Sequence, residues 1–307
     1  RTTSERQRSW LVCYGNFYTP HGFSSRCLTV LEVLRLAKTL AETVAEKLIS
    51  SLGAQVQVSN SQLNDALRLL SKWRSELIRN TMVQREGTKV LDGPLKGLDF
   101  LEQSTEGCHV AKLLGVYEQP LHPYFGPILS GEYEAVINLG SAEGYYAVGF
   151  AKAVPEIISI AYDTNPEAQA ACRNLAIKNG VQQRVSVNGE FTLADLESYS
   201  KASTLLFCDI EGGEEELLDV DRAPALAVLD LIVESHECFR PGVTGRLVNR
   251  FSSTHDIKLV QDSGMRTFRN VPPWFAELSH LDQLLAAWEW RAGPTPWLVM
   301  RSKSRLY

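Results

Sequence analysis

The sequence lacks two features that would each assign the chain to a class of partner. It has no excess of positive charge, because 31 Lys and Arg face 36 Asp and Glu and the formal net charge is −5. It also has no long uninterrupted apolar run: the longest apolar region, residues 28–52, carries charged residues at helical spacing. The first absence argues against a polyanion such as nucleic acid. The second is typical of an amphipathic helix and excludes a membrane span.

Cysteine pairs with metal-binding or redox spacing are also absent. The six cysteines are widely scattered and form no C-x-x-C pair. A disulfide framework is not expected in a chain of 307 residues with this spacing, so we predict reduced thiols and a cytoplasmic protein. The composition, 44% hydrophobic and 22% charged, is that of a globular protein with a real core.

The first part of the chain, residues 1–125, is predicted to be a helical cap. Apolar residues recur at helical spacing between residues 24 and 80, and a second helix is expected over residues 61–78. The broad apolar faces of these helices suit either a lid or a homodimer interface, and the sequence leaves both open.

The second part, residues 126–307, has short apolar runs that alternate with helical stretches. This alternation predicts an α/β fold: a doubly wound, Rossmann-like sheet, mostly parallel and covered on both faces. Two final runs, residues 257–261 and 297–301, are predicted to pair antiparallel at one edge. The five earlier strands are predicted over residues 135–139, 157–162, 185–188, 204–209 and 229–234.

A glycine turn follows the first predicted strand. Gly140, Ala142 and Gly144 form the pattern G-x-A-x-G, and glycine there lets the backbone approach a ligand closely. Asp163 follows Gly144 by 19 residues, at the end of the second strand, where a carboxylate can accept both hydroxyls of a ribose. Because the pattern is not G-x-G-x-x-G, it favours a nucleoside with an amino-acid tail over a dinucleotide pyrophosphate.

These segments carry a family resemblance. The sequence N-L-G-S-A-E-G at residues 138–144 resembles motif I of the class I S-adenosylmethionine-dependent methyltransferases. Residues 208–214 resemble the D-x-E-G-x-E signature of the FkbM-type methyltransferases, and residues 232–237 resemble that family's E-x-H element. The resemblance covers residues 120–303. It implies S-adenosylmethionine as cosubstrate and O-methylation of a small-molecule hydroxyl, on a secondary metabolite or a sugar.

The resemblance also implies residue roles. The glycine turn would shape the wall for the methionine tail, the acid after the second strand would hold the ribose, and the loop after the third strand would read adenine. Asn138 stands where the family usually carries an acid. The predicted cofactor-binding residues are Asn138, Gly140, Ala142, Gly144, Tyr145, Asp163, Asn165, Glu190, Phe191, Asp209 and Glu211.

An oxygen nucleophile must lose its proton, so a base is expected where the fourth and fifth strands end. His236 is the first candidate because imidazole titrates nearest to neutral pH, and Asp209 and Glu234 complete the predicted catalytic set. Asp209 and Glu211 could bind a divalent metal together with a third carboxylate. Acids two residues apart at a strand end more often cap a helix and contact a cofactor, so no metal site is predicted.

Two alternatives remain open. Asn138 in place of an acid would leave the amine of the cosubstrate free to attack its own side chain, as in the azetidine-2-carboxylate synthases, with release of methylthioadenosine. The chain would otherwise be a non-catalytic binding subunit with the same fold. The sequence carries no code for the acceptor molecule.

Overall fold

The computed structural model describes residues 59–104, 107–197 and 203–305, together with the isolated positions 43, 46, 47 and 50. The predicted first helix, residues 28–52, therefore lies outside the described residues apart from those four positions. The chain divides into two compact units, Arg1–Leu67 and Arg68–Tyr307. The domain boundary predicted at residues 125 and 126 stays a prediction.

The first described helix, α1, is longer than its apolar spacing predicts. It spans Asn60–Glu86, and its buried positions include Ile78 and Met82, one turn apart. Met82 extends the buried stripe by a turn beyond the predicted end, and the helix stops where Gly87 takes a positive φ of 76°. Among the described residues, no helix is both long and apolar enough to cross a bilayer.

The described part of the second unit contains a seven-stranded sheet in the order β3-β2-β1-β4-β5-β7-β6. The first five strands in this order are parallel, whereas β7 pairs antiparallel with both β5 and β6. This is the doubly wound, Rossmann-like sheet that the sequence predicts, with the predicted antiparallel edge. The strands are β1 (Ala135–Leu139), β2 (Ile158–Tyr162), β3 (Val185–Asn188), β4 (Thr204–Cys208), β5 (Asp230–Glu234), β6 (His255–Val260) and β7 (Trp297–Ser302).

Helices cover both faces of the sheet. One buried cluster contains Phe125, Phe150 and Phe207, and the other contains Leu206, Leu247 and Phe251. Short 3-10 segments occupy Gln119–Phe125, Pro224–Ala227 and Lys303–Arg305. The remaining described α-helices are α2 (His109–Leu114), α3 (Gly126–Leu129), α4 (Tyr145–Ala153), α5 (Pro166–Lys178), α6 (Leu193–Glu197), α7 (Glu214–Leu217), α8 (Val243–Phe251), α9 (Pro273–Ala276) and α10 (His280–Ala287).

Strand register determines where a ligand site forms. Leu139 at the end of β1 lies beside Tyr162 of β2 and Cys208 of β4, and Cys208 lies beside Val233 of β5. The residues that follow these strands therefore share one edge of the sheet. The strand order reverses between β1 and β4, and in open α/β sheets ligands bind outside the carboxyl ends at this reversal.

Candidate active site

The glycine turn after β1 fits tightly against the end of β4. Gly140 has a φ of +71°, and a Cβ built on it would lie 1.6 Å from the carbonyl oxygen of Asp209. The amides of Gly140 and Ser141 both donate to the carbonyl oxygen of Tyr162, at 2.9 and 3.0 Å. Only glycine fits at this position, because both the backbone conformation and the space exclude a side chain.

Asp163 is held beside this turn by backbone amides. Its Oδ2 accepts from the amide of Ala142 at 2.8 Å, and its Oδ1 accepts from the amide of Asn165 at 2.8 Å. Both oxygens thus have a fixed orientation at the end of β2. Carboxylate oxygens hold two lone pairs each, so this carboxylate retains acceptor capacity for a ligand.

A cleft of about 290 Å³ opens at the carboxyl ends of β1 to β4. It brings together six of the predicted site residues from four separate segments of the chain. They are Gly140, Asp163, Glu190, Phe191, Asp209 and Glu211. Phe191 packs edge-on against Tyr162 with ring centroids 5.0 Å apart, so its ring is both a wall of the cleft and a part of the core.

The other predicted cofactor-binding residues do not line this cleft. Asn138 is buried within β1, and the Tyr145 hydroxyl donates to the Lys112 carbonyl oxygen at 3.3 Å. Gly144 is the N-cap of α4, and a Cβ there would meet the Cys172 sulfur at 2.5 Å. Ala142 takes a positive φ of 45° and donates its amide to Asp163.

Asn165 is likewise engaged in local structure. It caps α5 by accepting from the amide of Glu167 at 2.9 Å. Asparagine before proline at a helix start is typical of a cap. A role for Asn165 toward a ligand stays a prediction.

The predicted catalytic residues lie together where β4 and β5 end. His236 Nε2 is 3.5 Å from Asp209 Oδ1, 3.5 Å from Glu234 Oε2 and 3.4 Å from Glu211 Oε2. The other ring nitrogen, Nδ1, lies 2.6 Å from Oε1 of the fully buried Glu214. His236 and Glu234 are buried, whereas the side chain of Asp209 is 26% exposed toward the cleft.

These charges shift the ionisation of the group. Burial lowers the pKa of His236, but the hydrogen bond to Glu214 and the charge of Glu234 outweigh it, so the net pKa is raised. Burial and the nearby charge of Glu234 raise the pKa of Asp209 well above its usual range. Burial would raise the pKa of Glu214 too, yet the hydrogen bonds from His236 and the Gly212 amide bring it below its ordinary value.

A buried network of arginines and acids extends from Glu234, and sequence reasoning missed it. Arg291 binds Glu234 directly, and it also contacts Glu118 at 3.1 Å and Glu289 at 3.2 Å. Arg266 continues the network, with contacts to Glu289 at 2.5 Å and to Asp262 at 2.6 Å. Glu118, Glu234 and Arg291 come from distant segments, so no local spacing indicated their contacts.

Glu118 is a fully buried acid of this network. It has a positive φ of 49° and accepts a 2.5 Å hydrogen bond from the Tyr146 hydroxyl. Burial raises its pKa to about 8, against the opposing charge of Arg291. Arg291 contacts both carboxylates, so it joins the segment that carries Glu118 to the end of β5.

A second buried ion pair anchors the glycine turn. Lys112 Nζ lies 2.6 Å from Oε1 of Glu143, and both side chains are almost fully buried. The ammonium also lies 4.9 Å from the ring centroid of Tyr117. Glu143 sits inside the resemblance to motif I, but its partner is 31 residues upstream. A charge within an otherwise apolar turn was the only signal that could have indicated such a partner.

Neither a protein-family model nor a curated protein matches the sequence. Solved structures resemble its fold at low identity. The O-methyltransferase TomG from Streptomyces achromogenes, solved with SAM, is 13% identical with a TM-score of 0.38, over 59% of this chain and 80% of that chain. An O-methyltransferase from Bacillus cereus, solved with SAH, is 10% identical with a TM-score of 0.39. The match covers 83% of this chain and 96% of that chain.

A third similar structure is the precorrin-6Y C5,15-methyltransferase from Geobacter metallireducens. It is 11% identical with a TM-score of 0.38, over 58% of this chain and 87% of that chain. This likeness concerns the fold alone, so the chemistry has to be argued from the residues of this chain.

Proposed function

We propose that the chain is an S-adenosylmethionine-dependent methyltransferase that methylates a hydroxyl of a small molecule, such as a secondary metabolite or a sugar. The observation that carries the proposal is the convergence of four sequence segments on one cleft. The glycine turn, the acid after β2, the loop after β3 and the acids after β4 all line it. Its volume is near the lower end of the roughly 300–1,000 Å³ of ligand clefts.

The residues of the cleft fit the parts of this cosubstrate. The tight contact of Gly140 with Asp209 keeps the turn free of side chains, as close approach of a ligand to the backbone requires. Asp163 offers oriented carboxylate oxygens for two ribose hydroxyls. Glu190 accepts from an exocyclic amine, and Phe191 offers a flat apolar wall for a base.

S-adenosylmethionine supplies a methyl group that is already activated for displacement. The chain has to hold the acceptor oxygen in line at about 3–3.5 Å and remove its proton. Asp209, Glu234 and His236 stand beside the cleft for the second task. Glu214 holds the imidazole through Nδ1, so Nε2 faces Asp209 and Glu234, and Asp209 in turn lines the cleft.

The test is to identify the nucleoside product by mass spectrometry. The purified protein is incubated with S-adenosylmethionine alone, and then with a panel of hydroxylated metabolites and sugars. We expect S-adenosylhomocysteine only when an acceptor is present, together with an acceptor heavier by one methyl group. The Gly140→Ala variant is the matched inactive control, since its side chain would occupy the contact between the turn and Asp209.

Two outcomes would overturn the proposal. Methylthioadenosine formed without an acceptor would mean that the methionine chain itself reacts, as in the ring-forming enzymes. Failure to bind S-adenosylmethionine at all would leave the chain as a binding subunit with a methyltransferase fold.

A further inference from the structure

We infer that Asp209, Glu234 and His236 form a binding site for a divalent metal ion at the carboxyl ends of β4 and β5. Each offers one ligand atom, and these atoms all lie within 4.8 Å of one another. The acids after β4 did not by themselves predict a metal site, because the histidine and the third acid come from the next strand along the sheet. Only the fold brings these three residues together, because their spacing in the sequence does not indicate it.

The separations match a coordination sphere better than a set of hydrogen bonds. Nε2 of His236 stands 3.5 Å from one oxygen each of Asp209 and Glu234. Hydrogen bonds of this type are usually about 2.7–3.2 Å long. Ligand atoms that each lie about 2.0–2.2 Å from a shared ion are instead separated by about 3–3.5 Å.

The histidine is oriented as metal-binding histidines are. Glu214 Oε1 lies 2.6 Å from Nδ1, and the same oxygen accepts from the Gly212 amide at 3.0 Å. A proton on Nδ1 that is donated to a carboxylate leaves the lone pair of Nε2 directed at Asp209 and Glu234. A carboxylate behind a ligating imidazole is the usual outer support of a metal site.

The acids of the site are short of partners. Oδ1 of Asp209 is buried and has no hydrogen-bond partner among the described residues. Oε1 of Glu234 binds Arg291, which is shared with Glu118 and Glu289, while Oε2 turns toward His236. Carboxylates therefore outnumber cationic side chains around this point, and buried carboxylates need a counter-charge. A divalent cation would provide it.

The donor set indicates the class of ion. One imidazole nitrogen with two carboxylate oxygens suits Mn²⁺, Fe²⁺, Co²⁺ or Zn²⁺, whereas Mg²⁺ and Ca²⁺ prefer ligand sets made of oxygen alone. Glu211, 67% exposed with Oε2 at 3.4 Å from Nε2, lies on the open side. Resting on the proposed function, the ion would bind the acceptor hydroxyl there and lower its pKa. The hydroxyl proton would then pass to Glu211, which lines the cleft, because the three ligands would no longer be free to take it.

The experiment measures metal binding alone and needs neither cosubstrate nor acceptor. Full-length protein is treated with EDTA, dialysed and titrated with Mn²⁺, and free Mn²⁺ is followed by electron paramagnetic resonance. We expect one bound ion per chain. Asp209→Asn and His236→Gln should each weaken the affinity by at least about tenfold. Glu216→Gln is the matched control, because that exposed acid pairs with Arg240 and should leave the affinity unchanged.

A measurement on the wild-type chain keeps the test decisive if a variant does not fold. Pulsed electron paramagnetic resonance of bound Mn²⁺ should reveal coupling to an imidazole nitrogen. Three results would overturn the inference: no binding at about 1 mM Mn²⁺, no nitrogen coupling, or equal affinity in all variants. Metal binding without S-adenosylmethionine binding would refute the proposed function alone, and methyl transfer that persists in EDTA without Mn²⁺ binding would refute the metal site alone.

Discussion

Gly140 and Asp209 are in contact through their backbones, so closely that a Cβ on Gly140 would lie 1.6 Å from the Asp209 carbonyl oxygen. This contact joins the turn after β1 to the end of β4. One side of it forms the wall proposed for the methionine tail, and the other side carries the acid proposed to act on the acceptor. The two halves of the candidate reaction therefore meet at one pair of residues.

Replacing Gly140 by alanine should lower the free energy of unfolding by more than the positive φ of this residue alone explains. Gly180 has nearly the same φ, +69° against +71°, but a Cβ on it would meet nothing within 4 Å. Gly180→Ala should lower the free energy of unfolding by about 1–2 kcal/mol through the positive φ alone. Gly140→Ala should add about 1–3 kcal/mol from overpacking and weaken S-adenosylmethionine binding at least about tenfold. Urea denaturation and calorimetry measure both, and equal losses in the two variants would contradict the tight contact.

Asp163→Asn should impair ligand binding without unfolding the protein. The amide keeps one oxygen for the backbone but loses the charge that would strengthen hydrogen bonds to ribose hydroxyls, so the affinity for S-adenosylmethionine should fall about 10- to 100-fold. Asp219→Asn is the control, because Asp219 accepts from the amide two residues later as Asp163 does. If calorimetry gave the same affinity for Asp163→Asn as for wild type, the ribose role would be wrong.

The buried pair of Lys112 and Glu143 should show coupled stability. Lys112→Met leaves the Glu143 carboxylate buried beside an apolar side chain, and the expected loss is about 3–5 kcal/mol. The double variant with Glu143→Gln should be more stable than Lys112→Met alone, because no buried charge is left behind. The pair of Arg74 and Asp282 is the comparison, because its arginine side chain is 44% exposed, and Arg74→Met there should cost less than about 1 kcal/mol. Additive effects of the two buried substitutions in urea denaturation would exclude the coupling.

Stability should depend on pH through His109. Burial lowers the pKa of His109 from 6.5 to about 4, although Nε2 keeps a 2.8 Å contact with the Leu101 carbonyl oxygen. The unfolded chain therefore takes up this proton at a higher pH than the folded chain does. Neutral His109 therefore contributes about 3 kcal/mol to the free energy of unfolding. This contribution is present above pH 6.5 and is lost as the pH falls to about 4.

His109→Gln removes the titrating group and keeps a donor for Leu101. The free energy of unfolding of this variant should fall less steeply between pH 6.5 and about 4 than that of wild type. Urea denaturation across this window makes the comparison. Parallel slopes in the two proteins would show that His109 is not held in its neutral form.

The sheet could be predicted from the sequence because its strands are short apolar runs between turn residues. The predicted bounds of β1 agree with the structure, and the antiparallel edge made by β6 and β7 is confirmed. Short helices carried weaker signals. No helix was predicted over His109–Leu114 or Val243–Phe251, because a helix of one or two turns shows few repeats of its period.

The site could be predicted only where a residue's role depends on its place after a strand. Asp163 and Asp209 directly follow β2 and β4, Glu190 lies two residues after β3, and all three line the cleft. Arg291 could not be found this way, because its partners Glu118 and Glu234 approach it through the fold from distant segments. Position after a strand can also mislead. Asn165 follows β2 and was predicted to bind the cofactor, but in the structure its side chain caps α5.

The most direct measurement is a calorimetric titration of the purified chain with S-adenosylmethionine, with wild type, Gly180→Ala and Gly140→Ala compared side by side. The account predicts one site per chain with a dissociation constant of about 1–100 μM in wild type and in Gly180→Ala, and binding at least tenfold weaker in Gly140→Ala. No binding in wild type, or equal binding in all three proteins, would contradict the assignment of this cleft to S-adenosylmethionine.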